Sequence, residues 1–372
     1  MKYFNEKLFV GFFLVLFVTL SAYLMISKES GVMFPVGNIS KALNEVLPSI
    51  IPSPTLSLNI PQSYVIPQKL HVYQSFNNCG PATLSMALSY WGINVTQTEL
   101  GNILRPYQVA GGDNDDKSVT LQEVADQATE YGLYAYLRPN GTPDKLEKFL
   151  SQGIPVVTRT WLMPTEDIGH YRIIRGYDRS TQTFIQDDSL QGENLSYSYS
   201  DFDAIWQPFN YEYLIIVPAE KKEIAERILG EELDEKVAWQ NALNRIEKEI
   251  VSDPDNWHLT FAKSRIYYYL GEYEKSIEEF EKVESRLSFR TLWYQIEPIQ
   301  AYFELGDYDK VFQITDGILN NQNRAFSELY HMRGEIYLKN DNIPAARTEF
   351  ENAVRYKFNF RPSIEALSKL SN

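Results

Sequence analysis

The sequence predicts an α+β domain followed by an all-α repeat solenoid, both behind an N-terminal transmembrane helix. Three observations carry this. Residues 8–27, LFVGFFLVLFVTLSAYLMIS, hold no charge. Residues 70–218 pass from two helical patterns into short β-branched and aromatic runs. Beyond Pro218, a pattern rich in Glu, Lys, Leu and Tyr returns every 34–35 residues.

The uncharged run comes first in the chain. Twenty residues at about 1.5 Å each span about 30 Å, the thickness of the hydrocarbon layer. A cleaved signal is the competing reading, but its apolar core is usually about 7–15 residues and ends at small residues. This run is longer and ends in Tyr23, Leu24, Met25 and Ile26. It is therefore read as a transmembrane signal-anchor at 8–27. Lys2 and Lys7 precede it and Lys28 follows, which favours an N-in, C-out anchor with extracytoplasmic soluble domains. Residues 28–69 carry Pro35, Pro48, Pro52, Pro54, Pro61 and Pro67 among many Ser and Asn. They read as a linker lifting the domains off the membrane.

Within 70–218, Ala82, Leu84, Met86, Ala87, Leu88 and Trp91 give helical spacing over Pro81–Trp91. A second helix runs over Leu121–Tyr131 behind Ser118 and Thr120 as caps. SQGIPVVTRTW, HYRIIRGYD, TFIQDD and YEYLIIVP are bounded by turn residues and read as strands of a mostly antiparallel sheet.

Beyond it, LGEYEKSIEEFEKV (270–283) recurs as LGDYDKVFQITDGI (305–318) and NDNIPAARTEFENAV (340–354). The period resembles that of the tetratricopeptide repeat, a helix–turn–helix unit that buries its apolar face only against its neighbours. Gly230 and Gly334 match the small position of the first helix, and Tyr267, Tyr302 and Tyr337 its later turn. Ala242, Ser276, Val311 and Ala346 match the small or apolar position of the second helix. About four units are expected over 223–370.

A net charge of −14 disfavours nucleic acid, whose phosphates need clustered Lys and Arg. Cys79 is the only cysteine, so no intrachain disulfide can form, and neither a metal site nor a cofactor is expected. Its placement is informative. Cys79 stands directly before a helix whose first turn holds Pro81, where free amides and the positive end of the dipole favour a thiolate. A structural cysteine belongs more naturally among the apolar positions inside the helix. Gln74, five residues upstream, can aim an amide N–H where the Cys79 backbone N–H also points, as an oxyanion donor.

A nucleophilic thiol needs a base, and the chain has four histidines. His258 and His331 lie in the repeats, and His71 reads as a surface residue. His170 opens a strand that turns at Asp178–Gln182 and returns as Thr183–Gln186. That hairpin brings residues near 187 beside residues near 170. Asp187 or Asp188 can then orient the imidazole, completing nucleophile, base and orienter.

These residues resemble the C39-like family of papain-like cysteine peptidases. The matching elements are Gln74, Cys79-Gly80-Pro81, Gly169-His170, Gly176-Tyr177-Asp178 and Gln186-Asp187-Asp188. The resemblance covers residues 70–218. It implies a papain-like fold with Cys79 as nucleophile, His170 as base, Asp187 as its orienter and Gln74 as oxyanion donor. Two departures stand out. Gln186 and Asp188 replace the usual Asn and Pro around the acid, which leaves Asp187 and Asp188 both open. Arg172 and Arg175 interrupt a strand that is apolar elsewhere in the family.

The function expected is that of a membrane-anchored cysteine peptidase or amide hydrolase working through a thioester, acting on a peptide or protein. Its repeats would recruit a protein partner or substrate. No Gly-x-x-x-x-Gly-Lys-Ser/Thr loop is present, so the family's fusion to an export ATPase is not implied. Two alternatives are a catalytically silent peptide-binding scaffold and an acyltransferase using the same residues.

Overall fold

The computed structural model describes residues 59–107, 119–320 and 323–370. The expected span at 8–27, and the linker up to residue 58, lie outside the described residues. Among the described residues no helix is long and apolar enough to cross a membrane.

The sheet is antiparallel at every pairing and joins β1 (Ser63–Val65), β2 (Tyr134–Arg138), β3 (Val156–Trp161), β4 (Gly169–Asp178), β5 (Thr183–Asp188), β6 (Gly192–Ser198) and β7 (Tyr213–Val217). The order is β2-β7-β3-β4-β5-β6, with β1 also on β4. β4 is thus central, and it is buried from Gly169 to Tyr177.

Helices cover both faces. On one, α1 (Cys79–Ser89), α2 (Gln97–Leu104) and α3 (Leu121–Thr129) pack Leu84, Leu88, Leu100 and Val124 against Val157, Tyr171, Ile173 and Leu214. Every residue of α1 is buried, as expected of a helix enclosed all round. Thr96 and Thr120 start α2 and α3 with capping boxes closed by Glu99 and Glu123, which satisfy otherwise orphaned amides at each helix start. On the other face, α4 (Pro143–Ser151), α5 (Tyr199–Trp206) and α6 (Ala219–Leu229) pack Phe149, Leu150, Phe202 and Trp206 against Val156, Ile174, Phe184 and Tyr213. Helices and sheet together make the α+β domain the sequence predicts. Its sequence reading lacks β1, β2, β6, α2, α4 and α5, which are short or polar.

The all-helical region follows as α7 (Glu235–Ser252), α8 (Trp257–Tyr269), α9 (Tyr273–Glu281), α10 (Thr291–Tyr294), α11 (Glu297–Leu305), α12 (Tyr308–Asn320), α13 (Ser327–Lys339), α14 (Ile343–Tyr356) and α15 (Arg361–Leu370). Ala242, Ser276, Val311 and Ala346 are all buried, one on each of α7, α9, α12 and α14. Gly334 lets α13 meet α14, since a Cβ there would sit 2.4 Å from the Phe350 ring. Gly230 does not match it. With φ at 60° and no atom within 4 Å of a built Cβ, it ends α6 instead of packing between helices.

The helical region is not a free arm. Leu58–Asn372 cluster as one unit, and Trp239, Leu243, Leu259 and Ile266 share a hydrophobic core with Trp206, Phe209 and Tyr213. At its centre Arg265 of α8 donates to Glu212 at 2.8 Å and to Glu297 at 2.6 Å, all three buried. At the far end Lys357 pairs with Glu123 of α3 at 2.5 Å, and Asn359 donates to the Ile103 carbonyl at 3.0 Å. The Tyr294 ring lies against Gly169, 3.1 Å from where a Cβ would stand, one residue before His170. The Arg159 guanidinium sits over that ring, 5.3 Å from its centroid.

Candidate active site

The chain enters α1 through a turn in which Asn77 takes φ 55°, a left-handed conformation that asparagine tolerates better than most residues. Gln97 pins the incoming loop by accepting from Ser75 N–H at 2.8 Å and donating to the Tyr73 carbonyl at 2.7 Å. The Gln74 N–H donates to the Ser189 carbonyl at 2.7 Å. Cys79 is therefore the first residue of a helix on a fixed approach. Asn78 gives α1 no side-chain cap, and the first turn holds no acid. Neither a side-chain cap nor an acid therefore takes up the helix's opening amides.

Gln74 is anchored at its oxygen. Ser189 Oγ donates to Gln74 Oε1 at 2.8 Å, which leaves the Gln74 NH₂ as the outward donor. Ser189 is fully buried, and nothing in the sequence marked it beyond its position after Asp188.

His170 is buried on β4. Its Nε2 meets Asp188 Oδ1 at 2.8 Å, and the Cys79 thiol stands close enough to the ring to act on its pKa. With Nε2 committed to Asp188, Nδ1 is the nitrogen left for Cys79. Burial alone pulls the imidazole's pKa down. The hydrogen bond and charge of Asp188, with the nearby Cys79 thiol, outweigh it and leave His170 above its ordinary value.

Thiol, imidazole and carboxylate thus stand together, but the carboxylate is Asp188. Asp187 is not on His170. Its Oδ2 accepts from Arg175 Nε at 2.9 Å and Gln68 Nε2 at 3.1 Å, and its Oδ1 from Asn194 N–H at 2.9 Å. The reason is register. Asp178 pairs Thr183 and Tyr177 pairs Phe184, and an unbroken ladder would set Asp187 opposite Ile174, on the face of His170. A bulge at Arg175 shifts the pairing by one, so Asp187 opposes Ile173 and Asp188 opposes Arg172. A slip of one residue exchanges the faces.

Asp188 is held on several sides. Oδ1 also accepts from the Leu190 and Gln191 amides at 2.7 and 2.9 Å, and Arg172 Nε lies 3.3 Å from Oδ2. Burial pushes this carboxyl up; His170, Arg172 and the Gln191 amide outweigh it and hold the pKa below the usual value. His71, read as a surface residue, instead meets the Asp188 carbonyl through Nε2 at 3.0 Å. Among the described residues no cluster of His, Cys, Asp and Glu could hold a metal ion.

A cysteine at a helix start beside a buried imidazole backed by a carboxylate, on an antiparallel sheet, defines a cysteine peptidase-like domain. In comparison with known proteins, residues 61–214 match the Peptidase_C39 like family, and residues 260–286, spanning α8 and α9, match the tetratricopeptide repeat. A search of curated proteins returned no match. Among solved structures, similarity extends to a protein described as a candidate C39-like peptidase from Bacillus anthracis (18% identity, TM-score 0.35, covering 42% of this chain and 97% of that one). It extends also to a double-glycine motif protease from an AMS/PCAT transporter in complex with the leader peptide (18%, 0.32, 42% and 95%). A third is the peptidase domain of Streptococcus ComA, a bifunctional ABC transporter of a quorum-sensing pathway (15%, 0.32, 41% and 99%).

Proposed function

We propose that this protein is a membrane-anchored cysteine peptidase or amide hydrolase that uses Cys79, His170 and Asp188. The observation carrying the proposal is the hydrogen bond of His170 Nε2 to Asp188 Oδ1, with the Cys79 thiol beside the same buried ring. The Cys79 thiolate attacks the substrate carbonyl carbon, and the oxyanion is held by the Cys79 N–H and the Gln74 amide. As the C–N bond breaks, the leaving amine takes the proton of His170, and the acyl group stays on sulfur as a thioester. Water then gives a proton to His170 while its oxygen attacks the thioester. Collapse expels the sulfur, and the acid product leaves.

The uncharged run at 8–27 anchors the chain and the helical region lies outside the cytoplasm with the peptidase domain. A peptide or protein is the substrate class. The repeats recruit a protein partner through surface not already taken by the peptidase domain.

Alkylation by iodoacetamide against pH tests the reading, with Cys79→Ala as blank and His170→Ala as probe. Wild-type Cys79 is expected to react well below pH 8, and His170→Ala to abolish that reactivity. Reaction only above pH 8, unchanged by His170→Ala, would refute the mechanism and favour a silent scaffold.

A further inference from the structure

A buried strand is a costly place for an arginine, because an unpaired charge in the interior is strongly destabilising. β4 carries two, and each has its own aspartate. Arg175 is matched by Asp187, whose remaining contacts tie the incoming chain and β6 to the sheet. That pair is a clasp. Arg172 is matched by Asp188, and Asp188 is the carboxylate on His170. An imidazole and a guanidinium therefore share one buried carboxylate.

Arg172 is fixed in place. It is fully buried, and it donates to Thr160 Oγ1, to the Trp161 carbonyl at 3.0 Å and to the Leu162 carbonyl at 2.8 Å. The Tyr197 ring lies 5.7 Å from it. Burial pulls its pKa below the ordinary value, opposed by Asp188, Tyr197 and Cys79; a guanidinium stays charged regardless. The Cys79 thiol lies close enough to bear on both His170 and Arg172. The ionisable groups facing the imidazole and its carboxylate are then Cys79, Asp188, Arg172 and Tyr197, with His71 on the Asp188 carbonyl.

We propose that Arg172 is a positioning residue whose fixed charge makes the thiolate–imidazolium state of Cys79 and His170 electroneutral. Thiolate, imidazolium, carboxylate and guanidinium sum to zero. Without the guanidinium the same state is a net anion in a site with little water, and the neutral alternative is a protonated thiol beside imidazolium. Arg172 thus decides whether the Cys79–His170 pair holds one proton or two at a given pH. This rests on the proposed mechanism and adds the residue that sets its pH range.

The test uses the full chain, in which Cys79 is the only thiol. Iodoacetamide alkylation is followed from pH 5 to 9 for wild type, Arg172→Lys, Arg172→Gln and Arg172→Met. The neutral variants are expected to lose about tenfold or more at pH 6.5, with the pH 9 rate within about threefold of wild type. Arg172→Lys keeps the charge but loses the guanidinium fork, and its profile is expected to stay within about threefold throughout. A folded neutral variant with an unshifted profile overturns the proposal. So does Arg172→Lys shifting as far as the neutral variants, which would mean shape and not charge. If circular dichroism shows the neutral variants unfolded, Arg172→Lys decides alone: an unshifted profile supports the proposal and a shifted one overturns it. Should wild-type Cys79 itself be unreactive at pH 6.5, the mechanism has failed, and the NMR titration of His170 decides separately. Its midpoint rises in Arg172→Gln if Arg172 acts through charge, and stays put otherwise.

Discussion

Exchanging the two aspartates separately for asparagine should split stability from reactivity. In Asp187→Asn the amide cannot carry the charge that answers Arg175, which remains buried. Breaking a buried pair from one side costs about 3–5 kcal/mol. At roughly 2–4 °C per kcal/mol the melting temperature should fall by roughly 6–20 °C. His170 touches none of this, so alkylation of Cys79 at pH 6.5 and 20 °C should stay within about threefold. In Asp188→Asn the order reverses. What raises the His170 pKa against its own burial is the hydrogen bond and charge of Asp188, together with Cys79. Without that charge burial prevails, the imidazolium is lost, and the thiolate loses its partner. An adjacent opposite charge moves such an equilibrium by roughly ten- to thousandfold, so alkylation at pH 6.5 should drop by about 10². Mass spectrometry of the alkylated chain gives the rate and differential scanning fluorimetry the melting temperature. A tenfold loss of labelling in Asp187→Asn, with Asp188→Asn unaffected, would refute the assignment and the register argument behind it.

Three further outcomes follow from other contacts. Gln74→Ala should slow turnover of a chromogenic ester by roughly 10²–10³-fold, yet leave alkylation unchanged, because alkylation forms no oxyanion; equal losses in both would show that the loop had collapsed. His258, stacked on Trp257 at 3.7 Å, has its pKa lowered by burial to about 4. It therefore contributes stability fully present above about pH 6.5 and lost as the pH falls toward 4. The difference between wild type and His258→Phe should change by about 3 kcal/mol across that window, and parallel acid limbs would count against it. Arg265→Met leaves Glu212 and Glu297 buried without their counter-ion and should cost about 3–5 kcal/mol, part of it recovered in Arg265→Met/Glu297→Gln; no recovery would mean that Arg265 acts only by packing.

What the sequence showed and what it hid divide along a physical line. Cys79 before Pro81, His170 at the head of an apolar strand and the 34–35-residue period are local facts, and local facts are legible one residue at a time. The choice between Asp187 and Asp188 is not local. It depends on the parity of a ladder counted from the turn, and the bulge at Arg175 changes that parity without a composition signal of its own. Gly176 is the nearest hint: a Cβ there would stand 2.9 Å from the Tyr64 carbonyl, so the strand needs glycine where β1 crosses it. The arginines of β4 were visible as departures from an apolar strand, but their partners were not. Each pairs with an acid across the hairpin, and which acid follows from the same bulge. Ser189, Gln97 and His71 were hidden for a related reason, since each works through a backbone carbonyl or an amide oxygen far away in sequence. The interlock of the helical region with the sheet was hidden too. A 34–35-residue period says how units stack on one another, but Arg265 meets Glu212 and Tyr294 meets Gly169 outside that period. The candidate thiol and imidazole were therefore readable, and the groups that hold them in place became readable only with the register.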